Sequence, residues 1–95
     1  MLDELFQIIE DRKANPVEGS YTNRLLEAGE DEILKKIGEE AVEVILAAKA
    51  QGNQRLVEEL ADLVYHSLVL LAAKGLSLSD IQEELSRRHL HSARR

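Results

Sequence analysis

The sequence predicts an all-α protein: an antiparallel bundle of four to five helices with two long central ones. Three observations carry this expectation. Apolar residues recur at helical spacing in each long segment, and no window shows convincing alternation of period two. Glycines stand at most of the joints. Only three residues are aromatic and none is tryptophan, so the core must come from Leu, Ile, Val and Ala, which favours helix packing.

The elements follow in order. A first helix is expected over about residues 2–14, with Leu2, Leu5, Phe6 and Ile9 on one face. N-P-V-E-G-S at 15–20 reads as a loop, because Pro16 biases Asn15 away from helix and Gly19 adds freedom. Ser20 or Thr22 can cap a short helix ending near Gly29. A long helix over about 31–51 stops at Gly52, and a second over about 54–74 stops at Gly75. Ser77 with Asp80 matches a capping box and opens a last helix, about 78–91. The tail at 92–95, S-A-R-R, is expected to fray.

A chain of 95 residues suits one domain, here 1–95, whose single core is marginal alone; a homo-oligomer, dimer or higher, is therefore expected. The net charge of −6 argues against a nucleic-acid partner. The absence of cysteine excludes thiol chemistry and fits a cytoplasmic protein. The N-terminus lacks the basic region and cleavage site of a signal peptide. The longest apolar run, near 63–73, is too short to span a bilayer, so no membrane partner is expected.

Acidic residues stand where a core should be, in G-E-E-A-V-E-V-I at 38–45 and E-E-L-A-D-L at 58–63. On the first long helix Ile33, Ile37, Ala41, Val44 and Ala48 form an apolar face, with Glu40 at its edge and Glu43 one turn along. Val42 and Leu46 lie opposite, which gives that helix a second apolar side. On the other helix Leu56, Leu60, Leu63, Val64 and Leu71 form the expected core stripe. Glu59, Asp62 and His66 share a flank, and Tyr65 and Val69 are assigned to the outer side. Folding the helices back about Gly52 leaves the pairs Glu40/Glu43 and Glu59/Asp62 at heights differing by only about 3 Å.

Acidic i, i+3 pairs are common with 18 acids in the chain, so placement is what singles these two out. Both sit in the most apolar helices. Glu43, Glu59 and Asp62 also have no Lys or Arg four residues on. Four converging carboxylates repel one another and are costly to desolvate unless they hold a cation. All-oxygen ligands suit a hard ion, Mg²⁺ with Mn²⁺ as a substitute, and such an ion would face a phosphate chain.

The spacing E39-E40-x-x-E43 followed by E59-x-x-D62 resembles the EExxE…ExxD signature of the all-α, MazG-like nucleoside triphosphate pyrophosphohydrolases. More narrowly, S-Y-T at 20–22, the 29–49 segment with K-K-I-G-E-E-A-V-E, and E-L-A-D-L-V-Y-H at 59–66 resemble the phosphoribosyl-ATP pyrophosphohydrolases of histidine biosynthesis. The resemblance covers roughly residues 2–90. It implies Mg²⁺-dependent cleavage of the α–β phosphoanhydride of phosphoribosyl-ATP, giving phosphoribosyl-AMP and pyrophosphate. By motif position Glu40, Glu43, Glu59 and Asp62 would be metal ligands, and Glu39 would orient water or a lysine. No cyclohydrolase domain, which some relatives carry fused, is seen.

Within that reading Glu39 or Glu43 is the candidate base. Lys36, then Lys35, are candidate phosphate contacts. Each also suits an i, i+4 ion pair, with Glu40 and Glu39 respectively. Ser20, Tyr21 and Thr22 offer hydroxyls near a helix start, where capping is the alternative role. Arg12 and Arg24 are candidate phosphate clamps, and His66 either supports a ligating carboxylate from behind or is a core histidine with a partner. Basic residues near the C-terminus complement a helix dipole, and His89 and His91 do not share a helix face. Two other functions fit the same residues: a housekeeping pyrophosphohydrolase for another nucleoside triphosphate, and a non-enzymatic helical assembly module.

Overall fold

The computed structural model describes residues 1–91, and the tail expected to fray, 92–95, lies outside the described residues. Five α-helices follow one another: α1 Leu2–Ala14, α2 Tyr21–Ala28, α3 Glu30–Leu46, α4 Asn53–Ala73 and α5 Leu78–His91. α3 does not run uniformly to the turn. Its last residues, Ala47–Gln51, form a π-helical turn before Gly52. Ala47 is therefore the buried residue at that end, while Ala48, expected on the core face, is exposed. No helix among the described residues is long and apolar enough to cross a membrane.

α3 and α4 make the main hairpin, and α1 and α2 pack across it. The core is small: Phe6 and Ile9 from α1, Leu25 from α2, Ile33 from α3, Leu68, Val69 and Ala72 from α4, and Leu78 at the start of α5. Its location corrects the expected face of α4. Val69 is fully buried, whereas Leu60 and Val64 are 42 % and 41 % exposed. α4 is apolar nearly all round, so hydrophobicity could not choose its inner side. The neighbours choose it, because the outer side of its first half has none.

The joints form as local chemistry directs. Ser20 caps α2, its Oγ accepting from the Asn23 N–H at 3.2 Å. Asn23, buried within that helix, then ties three segments together. Its Oδ1 accepts from the Val17 N–H and its Nδ2 donates to the Arg12 carbonyl, each at 2.8 Å. At the end of α4 the Leu76 N–H reaches the Leu71 carbonyl at 2.9 Å and the Gly75 N–H the Ala72 carbonyl at 3.1 Å, a Schellman motif. Gly75 has the positive φ of 74° that this motif requires. Gly52, at φ 88° and ψ 167°, occupies backbone space open only to glycine and turns the chain into α4. Only part of the capping box at α5 forms: Asp80 Oδ2 accepts from the Ser77 N–H at 2.9 Å.

Candidate active site

The hairpin brings three carboxylates together. Glu40 from α3 and Glu59 and Asp62 from α4 each offer an oxygen, all within 4.8 Å of one another. The i, i+3 spacing puts Glu59 and Asp62 on one flank of α4, and the hairpin sets Glu40 against it. Glu59 is only 6 % exposed. Glu40 Oε2 is shut off from solvent and has no hydrogen-bond partner. An orphaned buried oxygen beside two further carboxylates is costly as it stands and becomes reasonable around a cation. The donor set, all oxygen, suits a hard divalent ion.

Burial is the main force raising the Glu40 carboxyl above its ordinary range. The adjoining Glu59 carboxyl, able to share a proton with it, and the charge of Asp62 act the same way, while His66 pulls in the opposite direction. A carboxyl raised on folding favours the protonated protein. Its stability contribution is complete below the ordinary carboxylate range and is lost as pH rises through the raised value. In chelator, Glu40→Gln is therefore expected to melt above the wild type at pH 7, and the gap to close below about pH 4. Melting curves over that pH range check this; a variant less stable than wild type at pH 7 would contradict it.

Glu43, the fourth acid in the expected set, is not among the carboxylates brought together. It is half-buried one turn further along, where its charge is felt by Arg55. Arg55 is the residue that sequence reasoning missed. Its guanidinium forks, Nη1 to Glu58 at 2.6 Å and Nη2 to the buried Glu59 at 2.5 Å. The signal lies in the spacing, since Arg55 stands four residues before Glu59, on the N-terminal side of the acid.

The candidate substrate contacts lie on α1, α2 and α3. Lys36 Nζ lies 3.3 Å from Glu39, not on Glu40, and Glu39 is the first cause holding the ammonium above its ordinary value. The charge of Glu40 adds to this in the same direction. Lys35 is exposed. Tyr21 and Thr22 bridge to α4. Thr22 Oγ1 pairs with the Tyr65 hydroxyl, and the Tyr21 hydroxyl meets His66 Nε2 at 2.9 Å. His66 Nδ1 donates to the Asp62 carbonyl at 2.7 Å, so in the neutral ring Nε2 accepts from Tyr21. His66 is thus a buried histidine whose two nitrogens are both in use, one of them on the backbone of Asp62. Arg24 lies over the Tyr21 ring, 5.4 Å from its centroid, and Tyr21 stacks on Tyr65 at 6.2 Å. Arg12 is half-buried and 3.5 Å from Asp11. Ser20 caps α2 and keeps its own proton to donate.

An apolar groove lies elsewhere. It measures about 440 Å³ and is lined by Leu2, Leu63, Val64 and Ile81 among others. Its one hydroxyl, on Ser67, is spent on the Leu63 carbonyl. A phosphate chain would find no donor there, so the chemistry belongs to the acidic cluster.

Residues 2–89 match the family described as phosphoribosyl-ATP pyrophosphohydrolase. The chain belongs to the phosphoribosyl-ATP pyrophosphohydrolase family. Among similar members, the phosphoribosyl-ATP pyrophosphatase of Listeria welshimeri is 60 % identical over 88 residues, covering 93 % of this chain and 84 % of that protein. The phosphoribosyl-ATP pyrophosphatase of Clostridium acetobutylicum is 53 % identical over 89 residues, 94 % of this chain and 81 % of that one. The histidine biosynthesis bifunctional protein HisIE of Caldanaerobacter subterraneus is also 53 % identical over 89 residues, but this match spans only 43 % of its length. A phosphoribosyl-ATP pyrophosphohydrolase domain thus occurs both in stand-alone relatives and as part of a larger protein.

Proposed function

We propose that this chain hydrolyses the α–β phosphoanhydride of phosphoribosyl-ATP in the cytoplasm, yielding phosphoribosyl-AMP and pyrophosphate, as a step of histidine biosynthesis. The observation that carries the reading is the carboxylate cluster on the α3–α4 hairpin, in a chain that belongs to this family. Glu40, Glu59 and Asp62 would hold Mg²⁺, with Mn²⁺ able to replace it, and Glu43 stands one turn from Glu40 to support the site. The ion's chemistry, when bound, is to neutralise phosphate oxygens and acidify a water.

The chain's own residues do the rest. Phosphoryl chemistry of this kind asks mainly for positioning and charge compensation. Lys36 contacts the phosphates from the side of α3. Arg24, exposed on the Tyr21 ring, would contact the second phosphate that phosphoribosyl-ATP carries, with Arg12 and the Ser20 hydroxyl as further donors. Lys35, more exposed, adds positive charge at long range. Glu43, half-buried, or Glu39, 49 % exposed and held by Lys36, accepts the proton of the attacking water.

Charge-assisted contacts to that second phosphate should favour phosphoribosyl-ATP over ATP in kcat/KM by about ten- to a hundred-fold. Pyrophosphate release measured with both nucleotides tests this. A ratio near one, or a preference for a deoxynucleoside triphosphate, would give the assignment to a housekeeping pyrophosphohydrolase.

We also infer a homo-oligomer. Leu34, Val42, Ile45 and Leu46 on α3 and Val57, Leu60 and Val64 on α4 are all more than 40 % exposed. Gly38 sits mid-helix on that side of α3, with open space where a Cβ would stand. A glycine inside a helix weakens it by roughly 0.5–1 kcal/mol, a cost that close approach of another subunit would explain.

A further inference from the structure

Three carboxylates share one small volume in this protein, and one cation already reaches them. Arg55 forks between Glu58 and Glu59, one nitrogen on each. Glu58 is 45 % exposed in its side chain, whereas Glu59 is 7 % exposed and belongs to the cluster. The other nearby cation, Lys36, is paired with Glu39 outside the cluster. The one direct ion pair to these acids among the described residues therefore comes from a guanidinium that holds a second carboxylate in reserve.

We propose that Arg55 is a resident counter-cation that competes with the divalent ion for Glu59. Without metal it neutralises Glu59 and moderates the repulsion among the three acids. A divalent ion held by Glu40, Glu59 and Asp62 would stand only a few ångströms from a guanidinium on the same Glu59 carboxylate, and the two positive charges repel. Arg55 resolves this by letting go of Glu59 and keeping Glu58, to which it is already bonded. The residue sets the metal affinity of the site and keeps the metal-free hairpin closed. The inference rests on the metal reading above and adds to it a role for a side chain outside the acidic signature.

The test is calorimetric titration of the full chain with Mg²⁺ or Mn²⁺ alone, with no nucleotide present. Arg55→Gln is expected to tighten metal binding about fivefold, the scale of a partly exposed ion pair. The same variant is expected to lower the melting temperature in chelator and to regain wild-type stability when saturated with Mn²⁺. Arg87→Gln, which removes one positive charge on α5, serves as the control and should leave metal affinity unchanged. Unchanged or weaker metal binding by Arg55→Gln would overturn the proposal, weaker binding meaning that Arg55 orients Glu59 for the ion. An equal gain in Arg87→Gln would reduce the effect to net charge and overturn it as well. If the wild type binds neither ion, the metal reading itself fails and this inference goes with it; if it binds and only the Arg55→Gln gain is missing, this inference alone fails.

Discussion

Glu59→Gln will lower kcat/KM by about two to three orders of magnitude while the helices stay folded, because it removes charge where transition-state charge must be compensated. The replacement has the same shape, so the buried site keeps its packing. Glu40→Gln and Asp62→Asn are expected to lose activity on the same scale. All three should lose the thermal stabilisation that Mg²⁺ gives the wild type, since an ion that binds only the folded form stabilises it. Circular dichroism establishes the fold, pyrophosphate release the rate, and melting with and without Mg²⁺ the metal effect. Near wild-type activity in two of the three variants would remove the carboxylate site from the mechanism.

Val69→Asp should prevent folding, and Val64→Asp should not. Val69 is fully buried in the shared core of α1–α4, and an unpaired carboxylate there costs several kcal/mol. A domain of this size has only about 5–14 kcal/mol to lose. Val64 is 41 % exposed on the outer side of α4, so the same substitution leaves the core intact and should instead dissociate the assembly. Far-ultraviolet dichroism and light scattering on the two variants separate the effects. A folded Val69→Asp would refute the core assignment, and an intact Val64→Asp oligomer would move the subunit contact elsewhere.

That contrast marks where sequence reasoning stopped. Helix positions were legible because glycines and caps are local: Ser20, Gly52 and Gly75 act within a few residues of themselves. The inner face of α4 was not legible. Leu60, Val64 and Val69 are chemically alike, and only neighbours distant in sequence decide which is buried. The π turn at Ala47–Gln51 has no compositional mark, so the sequence alone implies simple α register at the end of α3. Matching height across the turn allowed four acids to converge, provided that all faced the same side. The hairpin sets three of them together, and Glu43, one turn beyond Glu40, is not in that group; rise per residue alone does not separate the two cases. Asn23 has no mark in the sequence, because a lone asparagine near a helix start resembles any other polar residue until Val17 and Arg12 fold around it.

α5 raises a separate point. Leu78, at its start, is buried in the core, but Ile81 and Leu85 are about half exposed and, among the described residues, the helix does not pack extensively along any other. The radius of gyration, 15.1 Å, exceeds the roughly 12 Å of a compact chain of this length, in keeping with such a projection. A lone helix of 14 residues is marginal in water. In an isolated chain, then, the amide protons of α5 should exchange with solvent within the dead time of a manual experiment, while those of α4 around Val69 report global unfolding. Raising the protein concentration until subunits associate should slow exchange in α5 selectively, if that helix is what a neighbouring subunit covers.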